Sequence, residues 1–458
     1  MLLALSPGCA LQPDPARSGI DLPERLHAAD AAGPVRWPEP EWWRGFRAPE
    51  LDALMAAAAE ANFDLAAATA QVRQADALVR VAGAPLLPAV DAAAAVTRTQ
   101  SSASGAVSRR RVSSANRLTL SASYEIDFWG GNRAALEAAR QGAAAFRFDA
   151  ATVALTVQSS VANTYFALLA AQEQLEIQRA NLEIATRVLG VIRDRVAVGT
   201  GTGLQLAQQE TVVAQQRAQV PGVAQAVEQN RNALGLLTGR LPESIEVVGD
   251  VFNRIAVPPV APGLPSEVLA RRPDVLAAEA DLAAAQADVV VARAALFPAI
   301  RLTAEGGFQS AALETMLRPE SQVFSLAAGL LQPIFRGGAL RAQVEAQRAV
   351  AEASLAGYRR AIVNALVDTE NALIALRQTT EQERLQAQAV ATAERANAIA
   401  EDQLRAGTID LVTLLVTQQS LFTARNLLVQ ARLARLQAAV GLFRALGGGW
   451  GSAGPVPR

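Results

Sequence analysis

Lysine is absent from this chain of 458 residues, histidine and cysteine each occur once, and aromatic side chains make up only 5%. Each absence excludes something. With His27 as the sole imidazole, neither a His-dependent catalytic triad nor a His-rich metal site can be assembled. With Cys9 as the sole thiol, no disulfide can form within the chain. The 42 basic residues, all Arg, are interspersed with 43 acidic ones for a net charge of −1. No basic field therefore exists to attract nucleic acid. No run of eighteen apolar residues occurs; even Val289–Ile300 is broken by Arg293, so a membrane-crossing helix is not expected. The doublets Gly130-Gly131 and Gly337-Gly338 lack the Gly-Lys-Ser/Thr or Gly-x-Gly-x-x-Gly context of a phosphate cradle. The expectation is a protein with no catalytic set, metal or cofactor.

What is abundant is apolar: 51% of residues, mostly Ala and Leu. Together with Gln, Glu and Arg these are strong helix formers, so long helices are expected. At the start, a short apolar stub (Met1–Leu5) and Ser6-Pro7-Gly8 precede Cys9. Small residues before a lone Cys resemble a bacterial lipoprotein processing site, making residues 1–8 a signal-peptide remnant and Cys9 the acylated first residue. Residues 9–50, rich in proline and carrying Trp37, Trp42 and Trp43, read as an extended tether.

An internal repeat organises the rest. Leu87-Pro88-Ala89-Val90 recurs as Phe297-Pro298-Ala299-Ile300, and Phe128-Trp129-Gly130-Gly131 as Phe335-Arg336-Gly337-Gly338. Val198-Gly199-Thr200 recurs as Ala406-Gly407-Thr408, and the segment from Ala233 to Leu237 as that from Ala439 to Phe443. The offset is roughly 208 residues throughout, too long for a solenoid, so each copy is half of one structure. The first copy covers 51–250 and the second 264–449, with a linker over 251–263 and a tail from 450 to 458. Each half reads as helix, strand, loop, strand, very long helix, tight turn and returning helix. The strands are expected within about 89–128 and 299–335, the long helices over about 131–198 and 338–406, and the returns over about 203–238 and 409–447.

Over 117–128 apolar and polar residues alternate without a slip, with Leu118, Leu120, Ala122, Tyr124, Ile126 and Phe128 on one side. Arg117, Ser121 and Glu125 fall on the other, as do Arg301 and Glu305 in the second copy. Period two with one apolar face means a sheet with one greasy and one wet side, and the lengths suit a bilayer crossing. Ser101–Ser114 and Ser310–Glu320 read as polar outward loops. The long helical stretches could each reach about 100 Å. In the first, Val161, Leu168, Leu175, Leu182, Leu189 and Val196 form one seven-residue seam. Ala170, Ile177, Ile184, Val191 and Val198 form a second on nearly the opposite side, with the polar Gln172, Arg179, Thr186 and Arg193 between. Two opposed seams imply neighbours on both flanks, as in a wall of helices. Four strands cannot seal a barrel, and an open edge cannot sit in lipid, so several chains must share one.

The linker sequence Gly263–Val275, followed by Ala-Glu-Ala-Asp-Leu (278–282) and Phe297–Ile300, resembles the signature of NodT-type outer-membrane lipoproteins, within the TolC-like outer-membrane efflux family. The resemblance implies a homotrimer, mainly α, with a twelve-stranded membrane β-barrel (four strands per chain) continuous with a long periplasmic α-helical barrel. It implies an exit duct that works with a periplasmic adaptor protein and an inner-membrane RND transporter. By resemblance, the two turns dock the adaptor, assigning that role to Gly199, Thr200, Gly407 and Thr408. Relatives carry an Asp nine residues after the second turn glycine and another about six after the first; here those positions hold Val416 and Gln205. Glu401, Asp402, Arg405 and Asp410 are left as the polar residues from which a periplasmic gate could be built. An exit duct for type I protein secretion, or a soluble coiled-coil scaffold, remain as alternatives.

Overall fold

A computed structural model describes residues 18–28, 35–100, 112–248, 252–260 and 263–450. The first repeat contains α1 (Pro49–Ala61), α2 (Phe63–Gly83), β1 (Ala89–Gln100), β2 (Val112–Ile126), α3 (Gly131–Ala197) and α4 (Gly203–Thr238). The second contains α5 (Pro265–Arg271), α6 (Pro273–Ala294), β3 (Ala299–Ser310), β4 (Gln322–Leu331), α7 (Ala339–Arg405) and α8 (Leu411–Ala445). The helices α3 and α7 are each 67 residues long, about 100 Å of rise. The chain divides into two compact units, one formed by 1–19, 71–147 and 277–360, the other by 20–70, 148–276 and 361–458.

The first unit carries the sheet. Among the described residues its four strands are antiparallel in sequence order, β1-β2-β3-β4, and β1 and β4 are open edges. The register places Leu118 opposite Phe308, Ala122 opposite Ala304 and Tyr124 opposite Leu302, which gathers the apolar residues on one face. On the other face Ser121 lies opposite Glu305 and Glu125 opposite Arg301. There Arg117 pairs with Glu305, and Arg301 with Glu125 at 3.5 Å. The apolar face is uncovered: Leu326 is 80% exposed and Phe324 91%. A face of this kind is stable only against lipid or another apolar surface. The start of β2 differs from the sequence reading. β2 begins at Val112 rather than Arg117, so Ser113 and Ser114, expected in a loop, are strand residues. Pairing with β1 down to Gln100–Val112 extends the strand past the point where the apolar pattern fades.

The second unit holds the buried core. Tyr165, Phe166, Leu168 and Leu169 of α3 are fully buried with Leu234 of α4 and Leu436 of α8. Into this core comes the end of the segment read as a tether. Trp42–Phe46 forms a short 3-10 turn; Trp42 stacks on Phe443 at 5.0 Å and Phe46 lies 5.1 Å from Phe166. That end is therefore packed, because its two aromatic rings gain more by burial than by exposure. The linker signature also finds its physical reason here. Arg272 is buried and makes a two-pronged pair with Asp274 at 2.9 and 2.6 Å. It reaches Asp368 at 3.1 Å and the carbonyl oxygens of Ala365 and Ala445 at 3.4 and 3.3 Å. One guanidinium thus ties α5, α6, α7 and the end of α8. Arg271 beside it lies over the Trp37 ring at 4.4 Å.

Candidate functional site

The two helical turns of the second unit are near-copies. α3 ends as Gly199 takes φ 79°, and α7 ends as Gly407 takes φ 73°, a left-handed backbone that glycine adopts without strain. After each glycine a threonine closes the helix. Thr200 donates from its amide (2.8 Å) and its hydroxyl (3.1 Å) to the Arg195 carbonyl. Thr408 does the same to Gln403, at 2.9 and 3.1 Å. The next helices begin with side-chain caps. Thr202 and Gln205 form a reciprocal capping box, Gln205 accepting from the Thr202 amide at 3.0 Å and donating its own amide to the Thr202 hydroxyl at 3.3 Å. Asp410 caps α8, accepting from the Thr413 amide at 2.8 Å and hydroxyl at 2.7 Å. These bonds, the hydroxyl's first, hold the Asp410 carboxyl below its ordinary pKa.

The residues weighed as a polar gate are thus placed in two groups. Glu401, Asp402 and Arg405 share the last turns of α7, where Arg405 reaches Glu401 at 3.5 Å and Asp402 at 2.8 Å. Glu401 also accepts from Asn397 at 2.8 Å. Asp410 stands apart from them as a helix cap. Gln205 has a definite task as the third residue of its capping box, and Val416 is exposed on α8. Beneath the turns Val188, Ile192, Ala400, Leu404, Leu411 and Leu414 form a small buried cluster that joins α3, α7 and α8.

The turns are more apolar than the seam residue Val198 and the Val416 substitution alone imply, since Leu204 and Val412 join them. Val198, Leu204, Val412 and Val416 are all large, apolar and exposed around the two glycines. Their signal was present, since each is an apolar residue placed where a helix begins or ends in solvent. Cys9, the expected acylation point, lies outside the described residues.

The family model described as outer membrane efflux protein matches residues 54–240 and 264–448, the two repeats. A pyoverdine export outer membrane protein of Pseudomonas aeruginosa, OpmQ, is 42% identical over 451 residues, covering 97% of this chain and 94% of that protein. Among solved structures, the outer-membrane channel OprN superposes with a TM-score of 0.88 at 27% identity, covering 96% of this chain and 100% of that one. The open state of the Neisseria gonorrhoeae MtrE outer membrane channel gives a TM-score of 0.88 at 27% identity, over 96% and 99% of the two chains.

Proposed function

The chain belongs to the outer membrane efflux protein family, and on that premise we propose that it is the exit duct of a tripartite RND-type pump, working as a homotrimer without enzymatic activity. The observation that carries this reading is the two-faced sheet with both edges open. Lipid on the apolar face and water on the charged face satisfy each side, and only neighbouring copies can satisfy the edges. Conduction is passive. The polar strand face, with its paired Arg117–Glu305 and Arg301–Glu125, lines the water path.

The turns are the periplasmic end, with Gly199, Thr200, Gly407 and Thr408 as docking points for a periplasmic adaptor and an inner-membrane RND transporter beyond it. The exposed Val198, Leu204, Val412 and Val416 give that docking surface an apolar character. We infer the constriction to be at the same level, with Glu401, Asp402, Arg405 and the capping residue Asp410 as its polar part.

Acylation at Cys9 rests on the small residues Ser6-Pro7-Gly8 before the lone Cys; the described part of the N-terminal segment, from Ser18, lies along α7. The Ser18 carbonyl accepts from Arg359 at 2.7 Å, and the Ala28 amide donates to Glu370 further along α7, at 2.8 Å.

The cargo is a small compound, and the name of the relative OpmQ makes pyoverdine the first to try. The test is export from a strain deleted for its own outer-membrane channel. Restored export with the chain in the outer-membrane fraction is expected. Recovery of the chain as a water-soluble monomer would end this reading, and export of a protein substrate instead would favour the type I secretion duct.

A further inference from the structure

Within each chain, the end of β2 meets the start of β3 through an aromatic joint. Trp129 stacks on Phe297 at 4.6 Å with planes 22° apart, and its Nε1 donates to the Pro298 carbonyl at 2.8 Å. Phe128 packs edge-on against Trp129 at 4.9 Å. The repeat contains a second copy of both halves of this joint, but they lie at opposite edges of the sheet. Leu87-Pro88 corresponds to Phe297-Pro298 and leads into β1. The faces of the strands fix the other match. Leu118, Leu120, Ala122 and Tyr124 share the apolar side of β2, as Phe324, Leu326, Ala328 and Leu330 do in β4, so the offset is even. The strand ends, Ile126 and Leu331, lie 205 apart and the motif match 207, so the even offset within one residue of both is 206, which pairs Trp129 with Phe335 and Phe128 with Ile334.

Phe335 and Ile334 are 88% and 89% exposed, and Leu87 is 70% exposed, whereas Phe128 and Phe297 are each 38%. Among the described residues no ring stacks on Phe335. Its segment is nonetheless held: the Gln332 amide group donates to the Leu296 carbonyl at 3.1 Å, and Pro333 stiffens the chain between. Beside Leu87 lies a cavity of about 680 Å³ bounded by Val81, Pro85, Leu87, Pro88 and Tyr124 among others.

We propose that Phe335 of one copy packs on Leu87 and Pro88 of the next, reproducing between chains the Trp129–Phe297 joint that each chain makes within itself. This rests on the homotrimer proposed above and names its seam. The same correspondence sets the register between the open edges, with Leu330 opposite Ala92, Leu326 opposite Val96 and Gln322 opposite Gln100 of the neighbouring copy. The two edge strands then end flush at Gln322 and Gln100, and their faces agree along the whole length. Occupation of the cavity by a second copy is favoured over lipid because the charged Glu125 and Arg301 also line it.

The test uses the full-length protein in membranes. Phe335→Cys combined with Leu87→Cys is treated with a short bis-maleimide, and Ala327→Cys with Ala95→Cys is oxidised directly to a disulfide. Covalent trimers from both double variants, and none from the single variants, are expected. As a measurement independent of cysteine variants, benzoylphenylalanine at Phe335 should photo-capture the Leu87–Pro88 segment of another copy. A wild-type trimer by native mass spectrometry with capture elsewhere, or of lipid alone, overturns the seam and leaves the trimer standing. Absence of any wild-type trimer removes the reading on which the seam depends.

Discussion

Thr200 and Thr408, roughly 208 residues apart in sequence, make the same pair of bonds: each turns its amide and hydroxyl onto the carbonyl five residues back, Arg195 and Gln403. The duplication has thus preserved the shape of the turns while their neighbouring caps diverged, Thr202 with Gln205 in one and Asp410 with Thr413 in the other.

Gly199→Val and Gly407→Val test that shape. A Cβ at either position meets nothing within 4 Å, so the cost is the left-handed backbone alone, about 1–2 kcal/mol each. The small cluster of Val188, Leu404 and Leu414 still holds the helices. The expected outcome is a trimer of nearly unchanged melting temperature whose export falls, measured by calorimetry beside a transport assay. Full export by both variants would remove docking from these turns.

Acid should loosen the start of α8 in a defined window. Because the folded pKa of Asp410 is lowered, its cap is fully present above the ordinary carboxylate value of about 3.9 and is lost as pH falls through the lower folded value. Exchange protection at Thr413, corrected for the intrinsic pH dependence, should hold from neutrality to about pH 4 and drop below it. Asp410→Ala should show the low protection at every pH.

Neighbouring residues on β2 should respond oppositely to the same charge. Leu120→Arg puts a guanidinium on the apolar face, at a cost of about 2–4 kcal/mol near the middle of a bilayer. Ser121→Arg puts it on the wet face opposite Glu305, where it costs little. Trimer yield in membranes should fall for the first and hold for the second; equal yields would contradict the assignment of faces.

Arg272→Met should destabilise the second unit by about 3 kcal/mol. Removing the buried cation strands two carbonyls, but Asp274 and Asp368 are partly exposed and can rehydrate, which keeps the loss at the low end for a broken buried pair. Arg272→Lys should recover only part, since an ammonium cannot make the two-pronged pair with Asp274. Melting temperature decides both.

The fold class was legible because its signals are periodic. Strand alternation from Leu118 to Ile126, the helix-forming composition and the repeated turn motifs each stated their geometry directly. The early start of β2 was not, since Ser113 and Ser114 are strand only through pairing with β1. Nor was the burial of Trp42 and Phe46, which depends on partners such as Phe443 and Phe166, far away in sequence. In the turns, Thr202–Gln205 and Asp410–Thr413 carry cap spacings that the sequence displayed, and the structure adds the cap role to residues read there for other reasons.

Single-particle imaging of the purified protein in lipid is the most direct measurement of the central claim. A particle with threefold symmetry, water-filled through the bilayer and extended by a hollow helical tube of about 100 Å, is the predicted result. A solid monomeric rod, or a bundle without a lumen, would contradict it.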